Sequence, residues 1–252
     1  MMTFEHYKYF VWIWIAIAII IFVVSLYITA PYGRHIKNTW GPLIDNKVGW
    51  IIMELFVLLI LYSFILTGEN QQSIANWVII GLFSFHYFHR SFIFPFKLRT
   101  NGKKMPLSII GMGLFFNLIN GFIIGYYFGN FKIYDLEWLT SYSFIIGLAI
   151  FIIGMMINWR SDFILIHLRK PNETGYKIPQ GYMFKYVSCP NLLGETIEWL
   201  GFAILTWSLP GFAFFIWTFA NLVPRAISHH KWYRSHFLDY PKERKAVIPF
   251  FV

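Results

Sequence analysis

The sequence predicts an all-α, polytopic membrane protein of seven transmembrane helices forming one domain over residues 1–252, and three observations predict it. Of the 252 residues, 57% are hydrophobic and 21% aromatic, against 13% charged. With a mean hydropathy of +0.54, this lies far outside the range of a soluble domain. The apolar residues also gather into runs long enough to cross roughly 30 Å of hydrocarbon, and the Lys and Arg residues between those runs fall mostly on one side.

Taken in order, the predicted spans cover about 8–29, 47–67, 74–97, 106–128, 139–168, 191–207 and 211–235. The first contains the apolar run from Phe10 to Ala30, too long for a typical cleaved signal segment, so it is read as a retained span. The fifth exceeds what a bilayer needs, and its end from Asn158 onward is expected to emerge into solvent. Between the sixth and seventh, Ser208-Leu209-Pro210-Gly211 reads as a tight turn joining antiparallel neighbours. Pro224 is expected to kink the seventh.

Seven spans place loops one, three and five on the same side as the C-terminus. Loop one carries Arg34, Lys37 and Lys47; loop three carries Lys97, Arg99, Lys103 and Lys104; loop five carries Arg169, Lys170, Lys177 and Lys185. The tail region adds Arg225, Lys231, Arg234, Lys242, Arg244 and Lys245. Of the 21 Lys and Arg residues, only Lys8 and Lys132 fall on the opposite side, while Arg90 and Arg160 lie within spans. By the positive-inside rule the loaded side and the C-terminus are cytosolic and the N-terminus is not. The net charge of +9 therefore points to a membrane rather than to nucleic acid, for which the chain offers no soluble basic domain. The single cysteine, Cys189, excludes an internal disulfide and a cysteine metal cluster.

Polar groups inside spans are costly and mark function. The third span contains His86-Tyr87-Phe88-His89-Arg90-Ser91-Phe92. Tyr87 lies ten residues in from Lys97, roughly 15 Å deep at helical rise. Glu54 lies seven residues in from Lys47 on the second span, roughly 10 Å deep by the same rise. A phenol and a carboxyl thus reach similar depth from the cytosolic side. Asn158 and Asp162 share a face of the fifth span, as do Asn191 and Glu195 on the sixth. Arg169 follows the fifth span, Trp199 lies on the sixth, and Arg225, His229 and Tyr233 end the seventh. Together these outline a polar cup under basic loops, suited to phosphates through Arg and Lys and to hydroxyls or an amide through Asn, Asp and Glu.

Three motif classes are missing. Gly111-Met112-Gly113 runs on to Phe116 inside an apolar helix, so it is no dinucleotide-binding fingerprint. The eight histidines lack the tight repeated boxes of a membrane di-iron site, and no metal ligand set is assigned. A Gly-x-Ser-x-Gly elbow is absent.

Several segments, in order and over most of the chain from Trp50, resemble the steroid 5α-reductase family. They are His86-Tyr87-Phe88-His89-Arg90; Asn158-x-x-Ser161-Asp162 with Leu168-Arg169-Lys170-Pro171; Ile178-Pro179-Gln180-Gly181; Leu193-Gly194-Glu195-Thr196-Ile197-Glu198-Trp199; Thr206-Trp207-Ser208-Leu209-Pro210; and Asp239-Tyr240-Pro241-Lys242-x-Arg244-Lys245-Ala246-Val247-Ile248-Pro249-Phe250. The resemblance implies a seven-span enzyme of the endoplasmic reticulum or bacterial inner membrane. It implies use of NADPH to reduce the carbon-4/carbon-5 double bond of 3-oxo-Δ4-steroids. Carried over by motif position, Tyr87 and Glu54 would hydrogen-bond the substrate ketone, and Tyr32, Asn101, Lys103, Asn158, Asp162, Arg169, Lys177, Asn191, Glu195, Trp199, Arg225, His229 and Tyr233 would line the cofactor site. Lys177 stands where the family often has arginine, keeping the charge and losing the bidentate fork.

The chemistry then follows. Hydride addition to the β-carbon of an enone drives negative charge onto the ketone oxygen, and the Tyr87 hydroxyl can stabilise it without carrying a charge into the membrane. Burial in low dielectric favours a protonated Glu54, which would donate to the ketone or polarise Tyr87. The implied partners are a lipid-soluble steroid or enone and membrane lipids, with no obligate protein partner. Two alternatives share these residues: a membrane reductase of another enone or polyprenol lipid, and a non-catalytic lipid-binding protein.

Overall fold

Helix starts are set by side chains that accept the first free N–H groups, and Thr3, Asp45, Ser73, Ser141 and Ser208 do so here. The computed structural model describes residues 2–31, 33–35, 40–99, 102–170, 173 and 175–252. Its helices are α1 (Phe4–Tyr27), α2 (Asn46–Thr67), α3 (Ile74–Phe88), α4 (Phe94–Lys97), α5 (Leu107–Asn130), α6 (Tyr142–His167), α7 (Pro190–Thr206) and α8 (Leu209–His236). Asp45 caps α2 by accepting from the N–H of Lys47 at 2.8 Å and of Val48 at 3.2 Å; Ser73 caps α3 and Ser208 caps α8 in the same way. Two short strands, β1 (Leu43–Asp45) and β2 (Lys104–Pro106), pair antiparallel, with Asp45 opposite Lys104.

Among the described residues, four helices are long and apolar enough to cross a membrane: α1, α2, α5 and α6. The other three expected spans differ in kind. The third is not one α-helix: α3 ends at Phe88, a π-helical turn covers His89–Ile93, and α4 completes it. Pro95 explains the break, because it has no N–H to give the carbonyl of Ser91. The backbone widens instead, and the N–H of Phe94 reaches the carbonyl of His89, five residues back. Helix α7 has 17 residues. Helix α8 has 28, and its final turns carry Arg225, Lys231 and Arg234. It remains one helix through Pro224. Trp207 closes α7 in the left-handed conformation (φ 43°, ψ 46°), so the expected turn sits one step earlier, at Trp207-Ser208, with Leu209-Pro210-Gly211 already the first turn of α8.

The contacts divide the chain into two units: Met1–Tyr7 with Ala30–Phe144, and Lys8–Thr29 with Ile145–Val252. The first unit is built on α2 against α5. Every fourth residue of α5 from Gly113 to Gly129 faces this seam, as Gly113, Asn117, Gly121, Gly125 and Gly129. A Cβ at Gly125 would lie 2.6 Å from the carbonyl oxygen of Leu61, and one at Gly129 would lie 2.3 Å from that of Phe64. Only glycine permits so close an approach, the arrangement lipid-immersed helices use when burial from water cannot hold them together. Asn117 interrupts the stripe with a bond, its Nδ2 donating to the Met53 carbonyl at 2.7 Å. At the far end of α3, the fully buried Asn76 donates to the Lys132 carbonyl and accepts from the Tyr134 N–H.

The second unit packs α7 against α8. The Trp14 and Trp217 rings lie 4.2 Å apart, with the indole N–H of Trp217 donating to the Trp14 carbonyl at 3.0 Å. Close approach recurs between α6 and α7, where a Cβ at Gly154 would meet the Glu198 nitrogen at 2.2 Å. The C-terminal segment returns over the start of α7, as the N–H groups of Ser188 and Cys189 donate to the carbonyls of Lys245 and Ala246.

Candidate active site

In the first unit the π-turn decides which side chains point inward. Tyr87 is 5% exposed, with its ring 4.9 Å from that of Phe83 and 5.2 Å from that of His86. The extra residue in the following turn buries Arg90 and Ser91 as well. Helix α2, which carries Glu54, packs against both α3 and the π-turn. The Arg90 guanidinium is stacked on two rings, 4.8 Å from Trp50 and 4.5 Å from Phe94, and its Nη2 lies 3.9 Å from Glu54 Oε1. Such a cation is held by ring quadrupoles and a carboxylate together. Arg90 was legible in the sequence only as an ionisable residue within a span; its pairing with Glu54 was not.

Of the loop residues expected near the cofactor, Tyr32 and Asn101 lie outside the described residues. Lys103 is exposed just before β2, and its carbonyl accepts from the Asn46 N–H at 3.1 Å.

The second unit gathers most of the remaining candidates. Asn158 on α6 donates to the carbonyl of Asn191 at 3.0 Å, and Asn191 Nδ2 donates to Asp162 Oδ1 at 3.0 Å. The i,i+4 spacing that placed Asn158 and Asp162 on one face thus presents both to the first turn of α7. Glu195 is half-buried one turn further along. Trp199 is 1% exposed and surrounded by the rings of Phe151, Phe202 and Phe214, which makes it a packing centre of the unit. On α8, Arg225 is buried and His229 half-buried, while Tyr233 is buried with its ring stacked 5.3 Å from Tyr240. Arg169 donates to the Gly175 carbonyl at 3.2 Å. Lys177 forms an ion pair with Glu173, whose carboxyl is held below the usual carboxylate range by its hydrogen bond from Lys177 and by one from the Lys170 N–H.

Two groups outside the expected set bear on what this cup can hold. Ser161 Oγ is buried with no hydrogen-bond partner, and so are Nε and Nη1 of Arg244, whose Nη2 donates to Gln180 at 3.0 Å. Buried donors of this kind are costly unless an acceptor meets them. A buried serine hydroxyl and a partly satisfied guanidinium are groups that the phosphate or hydroxyl oxygens of a cofactor would satisfy. Among the described residues no group of three His, Cys, Asp or Glu side chains is placed to hold a metal ion.

Compared with known proteins, residues 103–252 match the family described as 3-oxo-5-alpha-steroid 4-dehydrogenase. The chain is 42% identical over 233 residues to a steroid 5-alpha-reductase of Gossypium hirsutum, covering 90% of each. It is 39% identical over 232 residues to the 3-oxo-5-alpha-steroid 4-dehydrogenase 1 of Homo sapiens, covering 91% of this chain and 89% of that protein. Against the 3-oxo-5-alpha-steroid 4-dehydrogenase 2 of Sus scrofa the identity is 42% over 233 residues, covering 90% and 91%.

Proposed function

Because the chain belongs to the 3-oxo-5-alpha-steroid 4-dehydrogenase family, we propose that it is an NADPH-dependent membrane reductase acting on the carbon-4/carbon-5 double bond of 3-oxo-Δ4-steroids. The relatives' names support a steroid enone and an oxidoreductase acting on a CH–CH group. The observation that carries the rest is a buried tyrosine, Tyr87, on a helix packed against the one bearing Glu54.

When bound, NADPH supplies a hydride to the β-carbon of the enone. The chain's own work is to hold the ketone and answer the charge that forms there. As the carbon–carbon π pair shifts, the ketone oxygen becomes an enolate, and Tyr87 donates its hydroxyl hydrogen bond to that oxygen. Glu54, on the helix packed against the one bearing Tyr87, would serve as a second donor if protonated or as the charge that tunes Tyr87 if ionised. A proton from solvent then restores the ketone at the α-carbon, and one H⁻ and one H⁺ have been added across the double bond.

Asn158, Asp162, Asn191, Glu195, Arg225, His229 and Tyr233 line the cofactor cup, with Trp199 setting its floor. Arg169 and Lys177 add positive charge for its phosphates, and the family resemblance adds Tyr32, Asn101 and Lys103 as further cofactor contacts. Seven spans, including the broken third, carry this machinery, with the N-terminus outside the cytosol and the charged loops and C-terminus within it. The setting is a bacterial inner membrane or endoplasmic reticulum, and the substrate enters from the lipid.

NADPH consumption by purified protein with a Δ4-3-ketosteroid, followed by identification of the reduced carbon, tests the whole proposal. The expected product is the 5α-reduced 3-ketone. Consumption with a polyprenol or a different enone alone would move the reading to another lipid reductase, and no oxidation with any enone would leave a lipid-binding protein.

A further inference from the structure

From the geometry around α8 we infer that Ser188 and Tyr240 are positioning residues for the cofactor: Ser188 holds the Tyr240 hydroxyl, and the Tyr240 ring fixes the plane of Tyr233. This role rests on the reductase reading above, in which Tyr233 lines the cofactor cup.

Three observations carry it. First, the rings of Tyr233 and Tyr240 lie 5.3 Å apart with their planes only 11° from parallel, and both residues are buried, at 2% and 6% exposure. Offset stacking of this kind restricts how the neighbouring ring can turn. Tyr240 is itself held from other directions, with the Arg244 guanidinium 5.3 Å from its ring and the His230 ring 5.9 Å away in a T-shaped contact.

Second, one serine hydroxyl joins three elements. Ser188 Oγ lies 2.6 Å from the Tyr240 hydroxyl, 2.6 Å from His230 Nδ1 on α8, and 3.1 Å from the Lys245 carbonyl oxygen on the C-terminal segment. A serine hydroxyl has one hydrogen to give and two lone pairs to receive. The Lys245 carbonyl can only accept, and with the serine hydrogen on that carbonyl Tyr240 donates to Ser188. Removing either hydroxyl releases the far end of the Tyr240 ring.

Third, the C-terminal segment is docked without this network. The N–H groups of Ser188 and Cys189 donate to the carbonyls of Lys245 and Ala246, and the N–H of Lys245 donates to the Tyr186 carbonyl. Val247 is buried with Cys189, Val223 and Ala226. Backbone bonds and apolar contact therefore keep the segment in place, and the side-chain bonds are left the narrower task of orienting Tyr240 and, through the stack, Tyr233. A ring held in its binding orientation before the cofactor arrives spares the cost of ordering it on binding. The effect falls on cofactor affinity and not on the hydride step.

Fluorescence titration of the full-length protein with NADPH tests this. Tyr240→Phe keeps the ring and removes the hydroxyl, and it should weaken binding about fivefold, the scale of one hydrogen bond. The KM for NADPH should rise by the same factor while kcat at saturating NADPH stays within about twofold. Ser188→Ala should weaken binding at least as much, and Tyr240→Phe added to it should cost nothing further. Tyr240→Phe should be equally silent in a Tyr233→Leu background. Unchanged affinity in Tyr240→Phe, a loss confined to kcat, or additive losses in either double variant overturns the positioning role and leaves the reductase reading standing. Should Ser188→Ala fail to fold, Tyr240→Phe and its pairing with Tyr233→Leu decide. A wild type that binds no NADPH rejects the reductase reading, and the positioning role with it.

Discussion

Replacing Gly154 by alanine adds one methyl group where two helices touch through their backbones. The new Cβ would lie 2.2 Å from the Glu198 nitrogen, 2.6 Å from the Gly194 oxygen and 2.7 Å from the Glu198 Cα. No side chain can swing aside to relieve this, so α6 and α7 must part by ~1 Å to restore ordinary contact. Overpacking of that size costs about 3 kcal/mol, which for a chain of this length lowers Tm by about 6–12 °C. One turn further along, the Asn158–Asn191 bond of 3.0 Å would stretch to ~4 Å, beyond hydrogen bonding. Losing about 1 kcal/mol there weakens NADPH binding about fivefold. Thermal unfolding in detergent and a fluorescence titration with NADPH measure the two effects. Gly111→Ala is the control, since nothing lies within 4 Å of its added Cβ; it should gain about 0.5–1 kcal/mol from reduced chain entropy. Equal Tm and equal affinity for Gly154→Ala and the wild type would refute the close-packed seam and its hold on the cofactor cup.

Tyr87→Phe should lower kcat at least a hundredfold, the scale of one oxyanion-stabilising donor, while NADPH affinity measured by titration stays within about twofold; full turnover would remove Tyr87 from the mechanism. Asn117→Leu deprives the Met53 carbonyl of its donor and crowds the α2–α5 seam, for an expected loss of about 2–3 kcal/mol in thermal unfolding; unchanged stability would show the bond to be dispensable. Because Glu173 is held below its ordinary value by Lys177 and the Lys170 N–H, its contribution is present above the unfolded carboxyl range, about 4.3, and is lost as pH falls through the depressed folded value. Lys177→Met should therefore raise the titration midpoint of the Glu173 carboxyl, isolated by subtracting Glu173→Gln, and an unmoved midpoint would exclude the ion pair.

Elements governed by local rules were legible in the chain. Apolar runs placed α1, α2, α5 and α6 within a few residues of their observed bounds, because hydropathy over some twenty residues is a sum to which neighbours contribute nothing. The same held for the start of α7, where Pro190 stands in the first turn, and for the shared face of Asn158 and Asp162. The third span read as continuous, since its composition is apolar to Lys97, yet one missing N–H at Pro95 sufficed to recast the turn before it. The α5 stripe was overlooked for a related reason. Gly113 drew notice only within the failed nucleotide fingerprint and Gly121, Gly125 and Gly129 drew none, although the four-residue steps that join them through Asn117 are a packing signal once a partner helix is known.

What the sequence determined by itself was the membrane-helix class and most of the segments that form helices, and it nominated the phenol, carboxyl and amides of the proposed chemistry. These depend on composition and on periodicity within single segments. Tertiary structure alone decided that Glu54 faces Arg90, that Asn191 joins Asn158 to Asp162, and that Trp199 is sealed among phenylalanines. Each is a meeting of residues far apart in the chain or turned by an irregular backbone, which no periodicity within a single segment encodes.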